Sequence, residues 1–216
     1  MVNVTTSRSE AVVIVHGLWM RSPVMLLLGH RLRKAGFVPY YFNYATRLKD
    51  VKGAAPQLAE LIRQEVRENT LHIVAHSLGG LVALTMLQNT ADVRMGRVVT
   101  LGSPLAGSSV AQTLRKTRWG TWLLGGALDI LCEGVSSVPN GVEVGAVAGT
   151  IPIGLGRFLA HMPLPNDGTV AESESSLAGC ADSISLPVSH FGLLVAQSVV
   201  YQITLFLRTG KFLQLG

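Results

Sequence analysis

Residues 71–84, LHIVAHSLGGLVAL, change their apolar pattern at a single serine. Before Ser77 the run contains the β-branched residues Ile73 and Val74, which are typical of a buried strand. After Ser77 apolar residues recur at helical spacing, which predicts the buried face of a helix. A strand that reverses sharply into a helix strains the turn residue and requires small neighbours. The small residues around this serine are Ala75, Gly79 and Gly80.

A turn of this kind exposes the serine hydroxyl at a helix N-terminus, beside N–H groups without intrahelical partners. The stretch resembles the nucleophile elbow of the α/β-hydrolase family, whose usual pattern is G-x-S-x-G. The chain reads AHSLG over residues 75–79 and so departs at the first position. There it resembles small bacterial lipases that carry alanine. The alternative interpretation of these five residues is a buried strand, a serine helix cap and a helix without a catalytic role.

Strand and helix patterns alternate along the rest of the chain. Besides the strand before Ser77, strands are predicted at residues 11–15, 38–44, 97–101, 142–148 and 183–188. Further helices are predicted at residues 21–36, 53–70 and 189–210. This alternation predicts an α/β fold, a doubly wound and mostly parallel six-stranded sheet with helices on both faces. The length of 216 residues fits a single domain, and the resemblance implies the minimal α/β-hydrolase fold.

Polar residues follow several of the predicted strands, at the edge of the sheet where ligands bind in such folds. They are His16-Gly17, Ser77, Gly102-Ser103-Pro104, Asn166-Asp167-Gly168 and His190. A serine hydroxyl is a weak nucleophile unless a base takes its proton, and the base is normally a histidine oriented by a carboxylate. The sequence therefore predicts a nucleophilic site at this edge.

The resemblance assigns roles to three of these residues. It implies that Ser77 is the nucleophile, that His190 is the base, and that Asp167 orients this histidine. Asp167 lies in N-D-G-T-V, which resembles the stretch that carries the acid in many bacterial lipases and esterases. An Asn-Asp-Gly turn needs no catalytic role, however. Asp129 is the alternative acid.

Stabilisation of a tetrahedral intermediate needs backbone donors aimed at its oxyanion. One donor is expected to be the N–H of Leu78, directly after the implied nucleophile. The segment HGLW at residues 16–19 resembles the oxyanion loop of lipases and points to the N–H of Leu18 as the other donor. Trp19 and Met20 are candidate substrate-binding residues, with ordinary packing as the alternative.

The resemblance implies a carboxylic-ester hydrolase that acts on a small-molecule acyl ester or lipid without a metal or organic cofactor. A thioesterase or an acyltransferase could use the same triad, and a non-catalytic α/β-hydrolase scaffold is a further alternative. Strand and helix alternation is interrupted at residues 105–141, which are apolar and rich in tryptophan and leucine. This segment is predicted to be a small lid or an insertion that lines an acyl pocket, or else a plain connecting helix.

Composition limits the remaining classes. The net charge is +5, but the basic residues are scattered, which argues against nucleic acid as a partner. Cys132 and Cys180 form no metal or redox spacing and are predicted to be free thiols. The polar residues 1–10 lack a signal-peptide core, so a cytoplasmic protein is expected. Weak membrane-surface association is a hypothesis based on the 48% hydrophobic content and the positive charge. The sequence does not indicate the oligomeric state.

Overall fold

Six parallel strands form one sheet in the order β2-β1-β3-β4-β5-β6. The computed structural model describes residues 9–46, 51–90, 95–154 and 162–214. The strands are β1 (Glu10–Val15), β2 (Phe37–Phe42), β3 (Thr70–His76), β4 (Met95–Leu101), β5 (Glu143–Gly149) and β6 (Asp182–Leu186). The register places Ala75 of β3 opposite Val15 of β1 and Thr100 of β4. The carboxyl ends of the central strands therefore meet at one edge, and the predicted α/β architecture is confirmed with every strand parallel.

Helices follow the strands along the chain. They are α1 (Leu26–Lys34), α2 (Val51–Glu65), α3 (Leu78–Gln88), α4 (Ser109–Arg115), α5 (Arg118–Leu124), α6 (Leu128–Glu133), α7 (Gly192–Val195) and α8 (Gln197–Thr209). A short 3₁₀ turn at Ser22–Met25 leads into α1, with Pro23 in its first turn. Proline suits this place because its fixed φ is helical and its missing N–H would have no helical partner. Within the described part of the chain, no helix is both long and apolar enough to cross a membrane.

The sheet has a hydrophobic core on each face. Val13 and Val15 of β1 point into one core, which α2 and α3 cover together with α4 and α6. Val12 and Ile14 point into the other core, which α1 and α8 cover. All four valine and isoleucine side chains are fully buried. Burial on both sides explains why β1 is continuously apolar rather than alternating.

Two predicted helices differ from the structure. The helix predicted at residues 53–70 ends at Glu65, because the residues from Thr70 onward pair with β1 as β3. The closing helix predicted at residues 189–210 is divided at Ala196, whose backbone is extended (φ −75°, ψ 136°). The break frees the carbonyl of Val195, which accepts a hydrogen bond from the guanidinium of Arg31 in α1. A tertiary contact thus offsets the lost helical bond.

Candidate active site

The turn between β3 and α3 holds Ser77 in a strained backbone conformation. Its φ is 54° and its ψ is −126°, a region that non-glycine residues rarely occupy. The N–H of Ser77 donates to the carbonyl oxygen of Leu101 at 2.9 Å, which fixes the turn to the neighbouring strand. A Cβ atom at Gly79 would lie 2.7 Å from the carbonyl oxygens of both Val15 and His16. The close approach of helix and strand therefore requires glycine, as the sequence pattern predicts.

The loop after β1 passes directly beside this turn. A Cβ atom at Gly17 would lie 3.0 Å from the Cβ of Ser77 and 3.1 Å from Nδ1 of His76. Gly17 therefore lets the backbone of residues 17–20 reach the serine. His16 anchors the loop from below, since its ring stacks on Tyr44 at a centroid distance of 4.6 Å. Its Nε2 accepts the N–H of Tyr44, and burial lowers the pKa of this imidazole.

Asp167 and His190 form a close pair. Nδ1 of His190 lies 2.6 Å from Oδ2 of Asp167, and the backbone N–H of His190 donates to the Asp167 carbonyl at 2.9 Å. The other carboxylate oxygen accepts the N–H groups of Thr169 and Val170 at 2.9 and 2.8 Å. Asp167 is only 1% exposed. With its acceptors occupied in this way, the carboxylate can hold the imidazole in one orientation.

The loop after β4 leaves room for this pair at Gly102. The glycine has a φ of +53°, and a Cβ atom there would lie 2.8 Å from Oδ2 of Asp167 and 3.1 Å from Nδ1 of His190. The Gly102-Ser103-Pro104 turn thus supports the pair by having no side chain at its first residue. Next to it, the hydroxyl of Ser103 occupies the space that a Cβ at Gly80 would fill, at 2.1 Å.

Asp129, the alternative acid, lies elsewhere. Its carboxylate pairs with the guanidinium of Arg115 at 2.6 Å, and its side chain is 56% exposed. The structure therefore brings Asp167, and not Asp129, to His190.

His76 is a neighbour of His190 that the sequence did not single out. The two rings lie 4.5 Å apart between centroids, and Nε2 of His76 is 3.1 Å from the carbonyl oxygen of His190. His76 is 1% exposed, and burial, together with the nearby His190, holds its pKa well below the usual range. A neutral His76 can donate this hydrogen bond through Nε2. The contact joins residues 114 positions apart, so no local pattern could reveal it.

Ser77 and His190 open onto one apolar cavity of about 240 Å³. Its wall includes Leu18, Trp19 and Met20 from the loop after β1. Helices α4, α5 and α6 and the loop before α4 supply the opposite wall, with Ser108, Val110, Ala111, Leu114, Leu124 and Leu131. Among the described residues no hydrogen bond joins the Ser77 hydroxyl to the His190 ring. Such bonds are commonly long in free enzymes and shorten when substrate binds.

The predicted oxyanion donors belong to the two segments that meet at Ser77, the loop after β1 and the start of α3. Leu78 begins α3, and no side chain caps the start of that helix. Trp19, directly after Leu18, has a φ of 57°, and its N–H donates to Oγ1 of Thr46 at 3.0 Å. Within the described segments, no protein acceptor takes the N–H of Leu18 or of Leu78. Both groups are therefore free to bind an anion.

The described residues hold no group of three or more histidine, cysteine, aspartate or glutamate side chains placed to bind a metal. Cys132 and Cys180 are free thiols, and burial raises the pKa of each.

A family model described as "Putative serine esterase (DUF676)" matches residues 5–127, which is more than half of the chain. No curated protein matches the chain. Among solved structures, the mature form of the lipase BlEst2 from Bacillus licheniformis has a TM-score of 0.74 and 22% identity, over 94% of this chain and 92% of that chain. A metagenomic carboxyl esterase has a TM-score of 0.69 and 18% identity, over 86% of this chain and 65% of that chain. These likenesses show that the chain has the α/β-hydrolase fold.

Proposed function

The chain belongs to the serine esterase family whose model it matches, and from that premise we propose that it hydrolyses carboxylic esters through an acyl-enzyme on Ser77. In this proposal His190 is the general base and then the general acid. Asp167 orients His190, and the N–H groups of Leu18 and Leu78 stabilise the oxyanion. The observation that carries the proposal is that Ser77, on its strained turn, and the hydrogen-bonded Asp167–His190 pair open onto the same cavity.

The Asp167–His190 contact supports the assignment of the base. Because Asp167 accepts the Nδ1–H of His190, the neutral ring carries its lone pair on Nε2, the nitrogen able to take the Ser77 proton. The negative carboxylate then stabilises the imidazolium that forms, without taking the proton itself. The serine oxygen bonds to the ester carbonyl carbon, and the carbonyl oxygen becomes the oxyanion.

The remaining steps return the site to its starting state. The bond from the carbonyl carbon to the leaving oxygen breaks, and His190 gives its proton to the departing alcohol. Water then attacks the acyl-enzyme, with His190 again taking the proton. Collapse of the second intermediate breaks the bond to Ser77, returns the proton to its oxygen, and releases the carboxylic acid. The two oxyanion donors stabilise the tetrahedral intermediates of both acylation and deacylation.

The cavity supports an acyl group as the part of the substrate that is buried. Its lining is mainly aliphatic, and a hydrocarbon chain gains about 0.8 kcal/mol for each methylene that it buries. The segment at residues 105–141 is accordingly proposed to be an acyl-pocket wall within a single domain.

Ser77→Ala tests the proposal against a matched serine. The rate of hydrolysis is measured with p-nitrophenyl octanoate and, in parallel, with a thioester that carries the same octanoyl group. Ser77→Ala is expected to lose activity by about 10⁴-fold or more. Ser103→Ala is the control, because Ser103 is a buried serine at the same edge of the sheet and its hydroxyl has no partner among the described residues. That variant is expected to keep most activity.

Mass spectrometry of the quenched reaction should find the octanoyl group on the peptide that contains Ser77. Turnover that survives Ser77→Ala would show that the nucleophile is misassigned. A wild-type protein inactive on both ester and thioester would favour the scaffold alternative. Faster cleavage of the thioester would make the protein a thioesterase on the same residues.

A further inference from the structure

A second cavity lies on the other side of the loop that carries Leu18. Trp19 and Met20 line both cavities and form the wall between them. The second one, here called the outer cleft, has a volume of about 810 Å³, against about 240 Å³ for the cavity at Ser77. The loop after β2 and helices α2 and α5 form its remaining sides. An extended substrate at Ser77 thus has a second space beside the loop.

The lining of the outer cleft differs in chemistry from that of the acyl cavity. It presents the guanidinium of Arg21, the amides of Asn43 and Gln57, and aromatic surface from Trp122. Arg21, Asn43 and Gln57 are exposed to solvent. Among the described residues of the cleft, Arg21 is the only charged one. The cleft therefore offers hydrogen-bond donors and positive charge, which suit a polar anion.

We propose that the outer cleft binds the leaving-group side of the substrate, and that this group is polar and anionic. The substrate class is then an acyl ester whose alcohol part carries a carboxylate or phosphate. This inference rests on the proposed ester hydrolysis at Ser77. An acyl-enzyme mechanism requires the leaving group to depart from the acyl cavity, and the outer cleft adjoins that cavity along the oxyanion loop.

Trp19 connects the outer cleft to the chemistry. Its backbone follows the Leu18 donor directly, and its N–H is held by the buried hydroxyl of Thr46 in the cleft wall. A group that packs against Trp19 in the outer cleft therefore steadies the loop that binds the oxyanion. Contacts with the leaving group should affect kcat as well as KM.

The test uses two octanoyl esters of nearly equal size, 4-carboxyphenyl octanoate and its neutral counterpart 4-carbamoylphenyl octanoate. The quantity measured is the ratio of their kcat/KM values, charged over neutral, in wild type and in Arg21→Gln. Comparing this ratio between proteins cancels the different reactivity of the two leaving groups. Arg118→Gln is the control, since Arg118 is exposed on α5 but does not line the cleft.

At low salt the ratio is expected to fall about twofold to fivefold in Arg21→Gln, the upper part of the range that one exposed charge pair gives. It should stay at the wild-type value in Arg118→Gln. In 0.5 M salt the difference between wild type and Arg21→Gln should shrink, because exposed charges are screened. An Arg21→Gln ratio equal to that of wild type at low salt would overturn the inference.

A binding measurement separates this failure from failure of the proposed function. In Ser77→Ala protein, tryptophan fluorescence reports binding of the uncleaved esters, and the difference in affinity between the charged and the neutral ester isolates the contribution of the cleft. Preference for the charged ester, lost on adding Arg21→Gln, supports the cleft assignment whatever the turnover. If the wild type cleaves both esters but Ser77→Ala shows no preference for binding the charged ester, the proposed ester hydrolysis is supported and the cleft assignment is wrong. If the wild type cleaves neither ester and Ser77→Ala binds neither ester, both the proposed function and the cleft assignment are overturned.

Discussion

The size of the acyl cavity predicts which esters are cleaved fastest. A volume of about 240 Å³ holds about eight methylene groups, each close to the roughly 30 Å³ that a water molecule occupies in the liquid. Activity should therefore rise with acyl length up to about eight carbons and then level off or fall. Each buried methylene contributes about 0.8 kcal/mol, or about fourfold in kcat/KM. From butanoate to octanoate the rise is then about two hundredfold.

Two substitutions in the wall should move this optimum in opposite directions. Leu124 and Ala111 both line the cavity and are 4% and 3% exposed. Leu124→Ala removes three carbon atoms, about 90 Å³ of the wall, and should shift the optimum to about eleven carbons. Ala111→Leu adds three carbon atoms and should shift it to about five. Both changes cost stability, so the assays belong well below the melting temperature of the variants.

The assay is kcat/KM for p-nitrophenyl esters from two to fourteen carbons, kept below their micellar concentrations. Leu87→Ala is the control, because Leu87 is 8% exposed and similarly truncated but lies on α3 outside the cavity wall. Its profile should match that of wild type even if its melting temperature falls. A wild-type optimum at two carbons, or an unchanged optimum in both wall variants, would refute the assignment of this cavity to the acyl chain.

Three further predictions concern the acid that orients His190 and the buried histidines His76 and His72. Asp167→Asn should lower kcat about 10⁴-fold because it loses the carboxylate that orients His190, whereas Asp129→Asn should leave kcat near the wild-type value. The reverse result would show that Asp129 is the orienting acid. His76→Phe keeps an aromatic ring but loses the hydrogen bond to the His190 carbonyl, so kcat should fall about tenfold with KM little changed. His76→Gln should recover part of this loss. Equal kcat in wild type and both variants would show that His76 does not position His190. Burial lowers the pKa of His72, so the unfolded chain binds more protons below its usual pKa of about 6.5 and stability falls as pH drops. Urea unfolding between pH 7 and pH 5 should show this loss, and His72→Gln should reduce the dependence of unfolding free energy on pH by up to about 1.4 kcal/mol per pH unit.

Local sequence was sufficient for the fold because each element is marked by its own residues. The apolar run at β1, the small residues around Ser77 and the Asn-Asp-Gly turn all act over five or six positions. Parallel strands bring their carboxyl ends to one edge, so Ser77, Asp167 and His190 could be expected to meet there. Their approach follows from topology and needs no knowledge of side-chain packing.

The parts that local sequence did not reveal depend on contacts between distant segments. The sequence favours Asp167 over Asp129 only through the stretch that surrounds Asp167, and the folded chain adds that Asp129 is paired with Arg115. The break at Ala196 depends on Arg31, far away on α1. The cavity wall depends on how three short helices pack together. In the same way, the bond from Trp19 to Thr46 joins two loops 27 positions apart.

The positive φ at Ser77 lowers the stability of the fold at the position that carries the proposed nucleophile. Of the non-glycine residues described, Trp19 and Ser77 alone have a positive φ, and both line the cavity at Ser77. Strain of this kind costs about 1–3 kcal/mol and would be relieved by glycine, less about 1 kcal/mol for the greater freedom of glycine in the unfolded chain. Glycine at position 77 would therefore leave the free energy of unfolding unchanged or raise it by up to about 2 kcal/mol, and it would remove the hydroxyl on which the proposed chemistry depends.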